Sequence, residues 1–421
     1  MSKLTKYKFS DLYEMSSGIS SSKEQAGHGS PFISFSTVFN NYFLPEELPD
    51  LMDTSLKEQE IFSVKKDDVF ITRTSETVDA LAMSCVAVKD YPKATFSGFV
   101  KRLRPKTTGI VYSKYIAFFL RSKYFRKVLD CNTIMTLRAS FNEDMFSFLY
   151  LYLPDYEEQV RIGDLLYKME MKIRTNNKIN DNLEQQAKLL YDYWFTQFDF
   201  PDENGEPYRS SGGKMVWNEQ LKRTIPDGWT TNPLSDIFTF KSGYSFSSDL
   251  YEVSGKYKLL TIKNVQNNGI NLNADNYINV LPDNVPDYCL LKAQDILMSL
   301  TGNVGRVGIM YADNCLLNQR VALAEPVNIN QRVFVYFLLK SDIIHKQYEM
   351  IANGSSQQNL SPIEAEKVII AYNPEVATKF STLCNEYLNT IVSNLAENQE
   401  LINIRDWLLP ILMNGQATIS D

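Results

Sequence analysis

The segment Ser10-Asp11, followed by Ser17-Gly18-x-Ser20, returns as Ser235-Asp236, followed by Ser242-Gly243-x-Ser245, at an offset of 225 residues in a chain of 421. A repeat that long is a duplicated domain, since a solenoid repeats every ~20–50 residues. The copies stay aligned downstream. Lys66-Asp67-Asp68-Val69-Phe70-Ile71 answers to Ala293-Gln294-Asp295-Ile296-Leu297-Met298 at an offset of 227, and the amphipathic segment from Tyr115 to Ser122 answers to that from Phe334 to Ser341 at 219. Drift of a few residues is what loop insertions and deletions leave behind, because loops tolerate length change better than packed segments do. Whatever this chain folds into, it folds into twice.

Each copy ends in a long helix. From Glu157 to Phe195 there is no Pro and a single Gly, and Leu166, Met169, Ile173, Asn176, Asn180, Leu183, Ala187, Leu190 and Trp194 step by threes and fours. That is the spacing of a coiled-coil seam. The second copy runs Leu388, Ile391, Leu395, Asn398, Ile402, Arg405, Leu409 and Leu412. At 1.5 Å per residue the first helix reaches ~55–60 Å, longer than a globular helix needs. A stripe of that length is buried against a similar partner, and the partner at hand is the other copy. Asn180 matches Asn398 at an offset of 218. An Asn in an apolar seam costs stability and penalises registers in which it lacks a polar partner.

The charge is unevenly spread. Net charge is −7, yet between Lys65 and Arg138 fifteen Lys and Arg face six Asp and Glu, so that stretch is +9 and the remainder −16. Phosphate attraction depends on the local face, because charges beyond a Debye length of ~10 Å are screened. No apolar run approaches the ~18 residues of a membrane helix, and no signal peptide is legible, so a soluble cytoplasmic protein is expected. The five cysteines form no C-x-x-C pair and there are two histidines. Neither a zinc site nor a disulfide framework is expected.

Signatures of catalysis are missing. There is no G-x-x-x-x-G-K-[ST]. A nuclease-like set, Pro154-Asp155 with Glu170-Met171-Lys172, puts its last members in the middle of the predicted long helix, where a metal-binding carboxylate pair lacks support. Asn232-Pro233-Leu234 and Asn373-Pro374-Glu375 fail the Asn/Asp-Pro-Pro-aromatic pattern of amino-methyltransferases.

Between the copies lie Asp199-Phe200-Pro201-Asp202-Glu203-Asn204-Gly205-Glu206-Pro207 and Ser210-Ser211-Gly212-Gly213, which is loop chemistry. The order of head, helix and linker resembles the specificity subunit of type I restriction-modification systems. So do Tyr193-Trp194-Phe195-Thr196-Gln197-Phe198, Ile225-Pro226-Asp227-Gly228-Trp229, the Gly-rich stretch from Ser299 to Gly308, and Asn353-Gly354-Ser355-Ser356-Gln357-Gln358-Asn359-Leu360-Ser361.

The resemblance implies an α+β fold with two tandem β-rich target recognition domains, each followed by a long helix. The two helices would pair as an antiparallel coiled coil with pseudo-two-fold symmetry. Recognition domains are expected at 1–155 and 226–373, helical spacers at 156–198 and 374–415, and a linker at 199–225. The seam would hold Leu166, Met169, Ile173, Asn180, Leu183 and Leu190 against Leu388, Ile391, Leu395, Asn398, Ile402 and Leu409. Each head would read one half of a split double-stranded DNA sequence, and the helices would set the gap.

In the first head the candidate DNA contacts are Arg73, Thr74 and Ser75 after a strand, Lys101, Arg102 and Arg104 as a basic cluster, and Arg138 with Ser140. In the second they are Lys241, Ser242, Tyr244, Lys263, Asn264, Thr301, Asn303, Arg306, Ser356, Gln357 and Gln358. Arg takes guanine in bidentate fashion and Asn or Gln takes adenine, while Lys and Ser more often hold phosphate. Gly302-x-x-Gly305-x-x-Gly308 departs from the dinucleotide fingerprint and is expected to be a turn between strands.

The chain itself is expected to bind no cofactor and no metal. S-adenosylmethionine, ATP and Mg belong, by the resemblance, to methyltransferase subunits and to restriction subunits that translocate and cleave DNA; the internal pseudo-symmetry leads one to expect two methyltransferase subunits, one on each half, and no membrane is expected. The alternative is a non-catalytic coiled-coil adaptor whose heads bind protein, which the acidic total leaves open.

Overall fold

The computed structural model describes residues 3–20, 22–75, 80–132, 139–266, 269–354 and 358–419. Its contacts divide the chain into two units, Met1–Ile173 with Glu400–Asp421, and Arg174–Gln399.

The first unit contains β1 (Tyr13–Ser17), β2 (Ala26–Ile33), β3 (Val69–Thr72), β4 (Ser84–Val86), β5 (Thr95–Phe96) and β6 (Val100–Pro105), then α1 (Ser113–Phe119), α2 (Lys123–Asn132) and the start of α3 (Tyr156–Tyr191). The second contains β7 (Phe238–Ser242), β8 (Tyr257–Leu260), β9 (Ile296–Ser299), β10 (Val307–Ile309), β11 (Cys315–Leu317) and β12 (Val321–Pro326), then α4 (Arg332–Leu339), α5 (Asp342–Ile351) and the start of α6 (Pro374–Met413). The main sheet is antiparallel, in the order β1-β6-β3-β4 in one unit and β7-β12-β9-β10 in the other. A parallel pair, β2 with β5 or β8 with β11, lies in a second sheet of each unit.

The duplication holds at the level of single residue pairs. Ser17 faces Lys101 as Ser242 faces Ala322, and Thr72 faces Val100 as Ser299 faces Val321. β3 and β9 are central strands, and all four side chains of each are buried, as befits near-continuous runs of apolar and β-branched residues. Each follows a turn with a left-handed residue, Asp67 at φ 70° or Gln294 at φ 72°. The next residue, Asp68 or Asp295, closes that turn by accepting the amide of Lys65 or Lys292, both at 2.8 Å. An aspartate at this place ties the chain down by a short local hydrogen bond.

The Ser-Gly-x-Ser motif has a packing reason. Beyond β1 and β7 the chain crosses the residues after β5 and β11, with Ile19 bridging Ser97 and Tyr244 bridging Asn318. A Cβ on Gly18 would lie 2.3 Å from the carbonyl oxygens of Phe96 and Ser97, and one on Gly243 would lie 2.3 Å from that of Asn318. Only glycine lets two backbones approach this closely.

α1 and α4 differ from the expectation of an amphipathic segment. Tyr115 through Leu120 and Val333 through Leu339 are buried all round. A helix that is apolar on every side belongs inside. In the first unit α1 packs into an aromatic core with Phe9, Phe125 and Phe141, whose rings meet edge to face.

The long helices run past each other in opposite directions, seen separately in each unit. In the first, the Arg405 guanidinium pairs with Glu170 at 3.2 Å, and Leu409, Leu412 and Met413 join the core with Ile162 and Leu166. In the second, Asn176 Nδ2 donates to Asn398 Oδ1 at 2.9 Å and Asn394 Nδ2 donates to Asn180 Oδ1 at 2.8 Å. Because 176 and 394, like 180 and 398, are 218 residues apart, these two bonds are symmetry copies of one another. Asn180 and Asn398 are thus equivalents that pair crosswise with Asn394 and Asn176. Asn398 has a second partner: its Nδ2 donates to Asn177 Oδ1 at 2.8 Å. The equivalent of Asn177 is Leu395, which is why, among the described residues, Asn180 Nδ2 is buried without a partner. Of the remaining seam positions, Leu166, Ile173, Leu388, Ile391 and Leu409 are buried, while Met169, Leu183, Leu190, Leu395 and Ile402 are half-buried. Among the described residues, no helix is long and apolar enough to cross a membrane.

Candidate nucleic-acid interface

At one end of each main sheet two chain segments are stitched together by the same bonds. In the first head Thr74 pairs with Ser140, and the Phe141 amide donates to the Arg73 carbonyl at 2.8 Å. In the second, Thr301 bridges Asn359 and the Leu360 amide donates to the Leu300 carbonyl at 2.9 Å. A third segment joins them: the Arg73 amide donates to the Phe99 carbonyl at 2.9 Å, and the Leu300 amide to the Arg320 carbonyl at 3.1 Å. Three strand ends therefore converge on one small surface, built twice by the same main-chain bonds. Side chains there are free to differ, and they do.

In the first head Arg73 and Ser140 are exposed and Thr74 and Ser75 half-buried. Among the described residues Arg73 reaches no carboxylate; its Nη1 lies 3.4 Å from the Gly98 carbonyl. In the second head, Thr301 Oγ1 donates to Asn359 Oδ1 at 2.9 Å, and exposed Gln358 lends its carbonyl to the Gly302 amide at 2.8 Å. Asn303 is exposed and Arg306 half-buried, on a β9–β10 hairpin whose Gly302 and Gly305 both need positive φ, 78° and 79°. Arg138, Ser356 and Gln357 lie outside the described residues.

Several other candidates are engaged within the fold. Lys101 and Arg102 are buried in β6. Lys101 Nζ donates to Ser17 Oγ at 2.8 Å, and burial, then the neighbouring Arg73, pulls its ammonium below the ordinary lysine range. Arg102 donates to the Ser63 carbonyl at 2.6 Å and lies over the Phe96 ring. Arg104 grips Asp68 with two bonds of 2.7 and 2.6 Å, and that carboxylate holds its guanidinium above the ordinary arginine range. Asn264 is buried as well; it accepts from the Thr261 amide and donates to the carbonyls of Asn271 and Asn273, closing its own loop. All four are held by partners within the fold, and Arg104 also lines the cleft with Lys65, Lys66 and Lys106. β6 is covered on both faces, Val100 through Leu103 being buried in succession, and spacing alone does not show that.

Lys241 is paired with Glu325 at 2.5 Å, and exposed Lys263 with Asp275 at 2.9 Å. Ser242 is exposed, and the Tyr244 hydroxyl donates to Asn284 at 2.9 Å.

The +9 stretch is accordingly less of a surface feature than its count suggests. Arg121 donates to the carbonyls of Val38, Phe39, Asn41 and Ser84, and Arg126 to those of Leu81, Ala82 and Leu120. Lys114 pairs with Asp164 at 2.8 Å. Other cations of the stretch are exposed; Lys65, Lys66 and Lys106 line an open basic cleft of about 520 Å³.

Two residues of this surface escape the sequence reading, Phe99 and Arg320. The signal for them was alignment of Val100-Lys101 with Val321-Ala322 at an offset of 221. That offset falls between those of the flanking segments and is visible once the register of β6 and β12 is known.

Two alike heads, each ending in a composite surface of short loops and each followed by a helix that continues into the other unit, define a two-headed recognition protein. The Type I restriction modification DNA specificity domain matches this chain twice, over residues 1–185 and 226–372, and the chain belongs to that family of type I specificity subunits, whose business is DNA recognition. Among its relatives are the type I restriction enzyme MjaIX specificity subunit of Methanocaldococcus jannaschii, 24% identical over 98% of this chain and 93% of that one, and the HindI specificity subunit of Haemophilus influenzae, 25% identical over 91% and 94%. The fold is that of the crystal structure of the type I restriction-modification S subunit from M. genitalium, at a TM-score of 0.60 and 17% identity over 98% of this chain and 96% of that one.

Proposed function

We propose that each head reads one half of a split DNA sequence with its composite surface, that the paired helices set the gap, and that the chain supplies no reacting group of its own. The single observation behind this reading is the three-segment surface made twice with identical main-chain bonds and different side chains. Identical frames with unequal side chains are what two unequal half-sites on one duplex call for. Exposed Arg73, Ser140, Gln358 and Asn303 offer the donors and acceptors that base edges take. Exposed lysines such as Lys66 and Lys106 suit phosphate.

The chemistry would sit on partners. Two methyltransferase subunits, one per half by the internal symmetry, would bring S-adenosylmethionine, and restriction subunits would bring ATP and Mg. Residence in the cytoplasm follows from such an assembly.

The test is methylation-sensitive sequencing of DNA modified by the chain together with its methyltransferase. Arg73→Ala should relax one half of the modified sequence and leave the other intact. One heptad inserted after Ile173 and one after Glu400 preserves the seam on both sides and adds ~10 Å. The modified sequence should then carry a gap longer by about three base pairs at 3.4 Å each. Equal relaxation of both halves, or a gap unaltered by the longer helices, refutes the reading. Retention of a protein partner with no sequence preference on DNA favours the adaptor.

A further inference from the structure

One position of the composite surface is fixed identically in both heads and carries side chains of opposite character. In the first it is Phe99, 66% exposed, whose carbonyl takes the Arg73 amide at 2.9 Å. In the second it is Arg320, exposed, whose carbonyl takes the Leu300 amide at 3.1 Å. The next residue, Val100 or Val321, is fully buried and paired with Thr72 or Ser299 in the sheet. The main chain is therefore locked on both sides of a side chain that the fold does not use.

A single exposed apolar side chain needs no special account. This one stands apart for two reasons. It adjoins Arg73 at the junction of Thr74 with Ser140, and its structural counterpart is an arginine with which no described residue forms an ion pair or side-chain hydrogen bond. Phenylalanine and arginine share little chemistry, but both read base edges in the major groove. An aromatic ring packs on the C5-methyl of thymine, and a guanidinium donates two bonds to O6 and N7 of guanine.

We infer that residues 99 and 320 are a base-discriminating position of each head, Phe99 taking the methyl group of a thymine and Arg320 the edge of a guanine. The inference rests on the reading that each head lays this surface on DNA. It assigns one base of each half-site to one residue, which the family membership does not.

The experiment removes single groups from the DNA and leaves the protein intact. With the modified sequence known, duplexes of that sequence carry uracil for each thymine, or 7-deazaguanine for each guanine, one at a time. Binding is measured for the chain complexed with its methyltransferase. One uracil in one half should weaken wild-type binding about fourfold, the worth of a buried methyl, and leave Phe99→Ala unaffected. One 7-deazaguanine in the other half should weaken wild-type binding about tenfold and leave Arg320→Ala unaffected. Both side chains are exposed, and hydrogen exchange equal to wild type in each variant verifies the fold.

If variant and wild type lose equally at every position, the assignment is wrong. Should Arg73→Ala relax one half while Phe99→Ala and Arg320→Ala change nothing, the assignment falls and the two-headed reading stands. A modified sequence that is not split at all overturns both.

Discussion

The asparagine layer between the long helices makes a quantitative prediction. Asn176 is 1% exposed and its amide donates to Asn398 Oδ1 and to Glu397 Oε2; Asn398 is 6% exposed and donates to Asn177. Asn398→Leu strands a polar group of Asn176 in the seam, and Asn176→Leu strands one of Asn398. Each orphan costs about 1–3 kcal/mol, which offsets the gain from burying the new leucine. The double replacement strands neither. Both penalties drop out, and each leucine contributes up to about 1.5–3 kcal/mol of burial. The double variant should therefore exceed either single by at least about 2 kcal/mol, with a coupling energy of similar size. A chain of two units has no single two-state stability, so the assay is hydrogen exchange of the amides around 176–180 and 394–398. There, about 2 kcal/mol reads as roughly thirtyfold in protection. Additivity of the two singles within about 0.5 kcal/mol refutes the argument. The symmetry copy serves as an internal control: Asn180 Nδ2 has no partner among the described residues, so Asn180→Leu should cost less than Asn398→Leu.

Other consequences can be checked independently. Gly18→Ala should lower the stability of the first unit by about 1–3 kcal/mol or more and spare the second, and Gly243→Ala should do the reverse, as read by unit-resolved hydrogen exchange; equal effects on both units contradict the packing account. Arg121→Ala leaves four carbonyls without their donor and should destabilise the first unit by about 3 kcal/mol, while the salt dependence of DNA binding stays as it was. A shallower salt slope in that variant places Arg121 on DNA. Burial pushes the Cys315 and Cys384 thiols up to about 11. A raised thiol has less thiolate at any lower pH, about 0.1% at pH 8, so iodoacetamide should label exposed Cys131 well before either. Comparable rates at Cys384 and Cys131 refute that ordering.

What the sequence disclosed was what the backbone dictates. The offset of Gly18 and Gly243 survives because any Cβ there collides with a carbonyl, and the three-four spacing of the seam survives because helices have one period. The intramolecular partners of Lys101, Arg102 and Arg104 were not legible, because a strand displays the same letters whether a cation meets Ser17, a main-chain carbonyl or a carboxylate. The loop-closing bonds of Asn264 were hidden for a related reason: an amide suited to adenine is equally suited to closing a loop. Phe99 and Arg320 stayed hidden because nothing in their neighbours' composition marks them. Their equivalence is a fact of hydrogen-bond register, and register is not written in residue type.

The main-chain bonds that hold positions 99 and 320 take no notice of what the side chains are. A carbonyl accepts from the next segment equally well whether phenylalanine or arginine follows the Cα, and the buried valine beyond it keeps the sheet closed in either case. Under the proposed reading, stability and address are thus separate heritable traits in each head. A population can change what the surface presents one substitution at a time while the fold underneath bears no mutational load, and an altered address in one head need not wait for any change in the other.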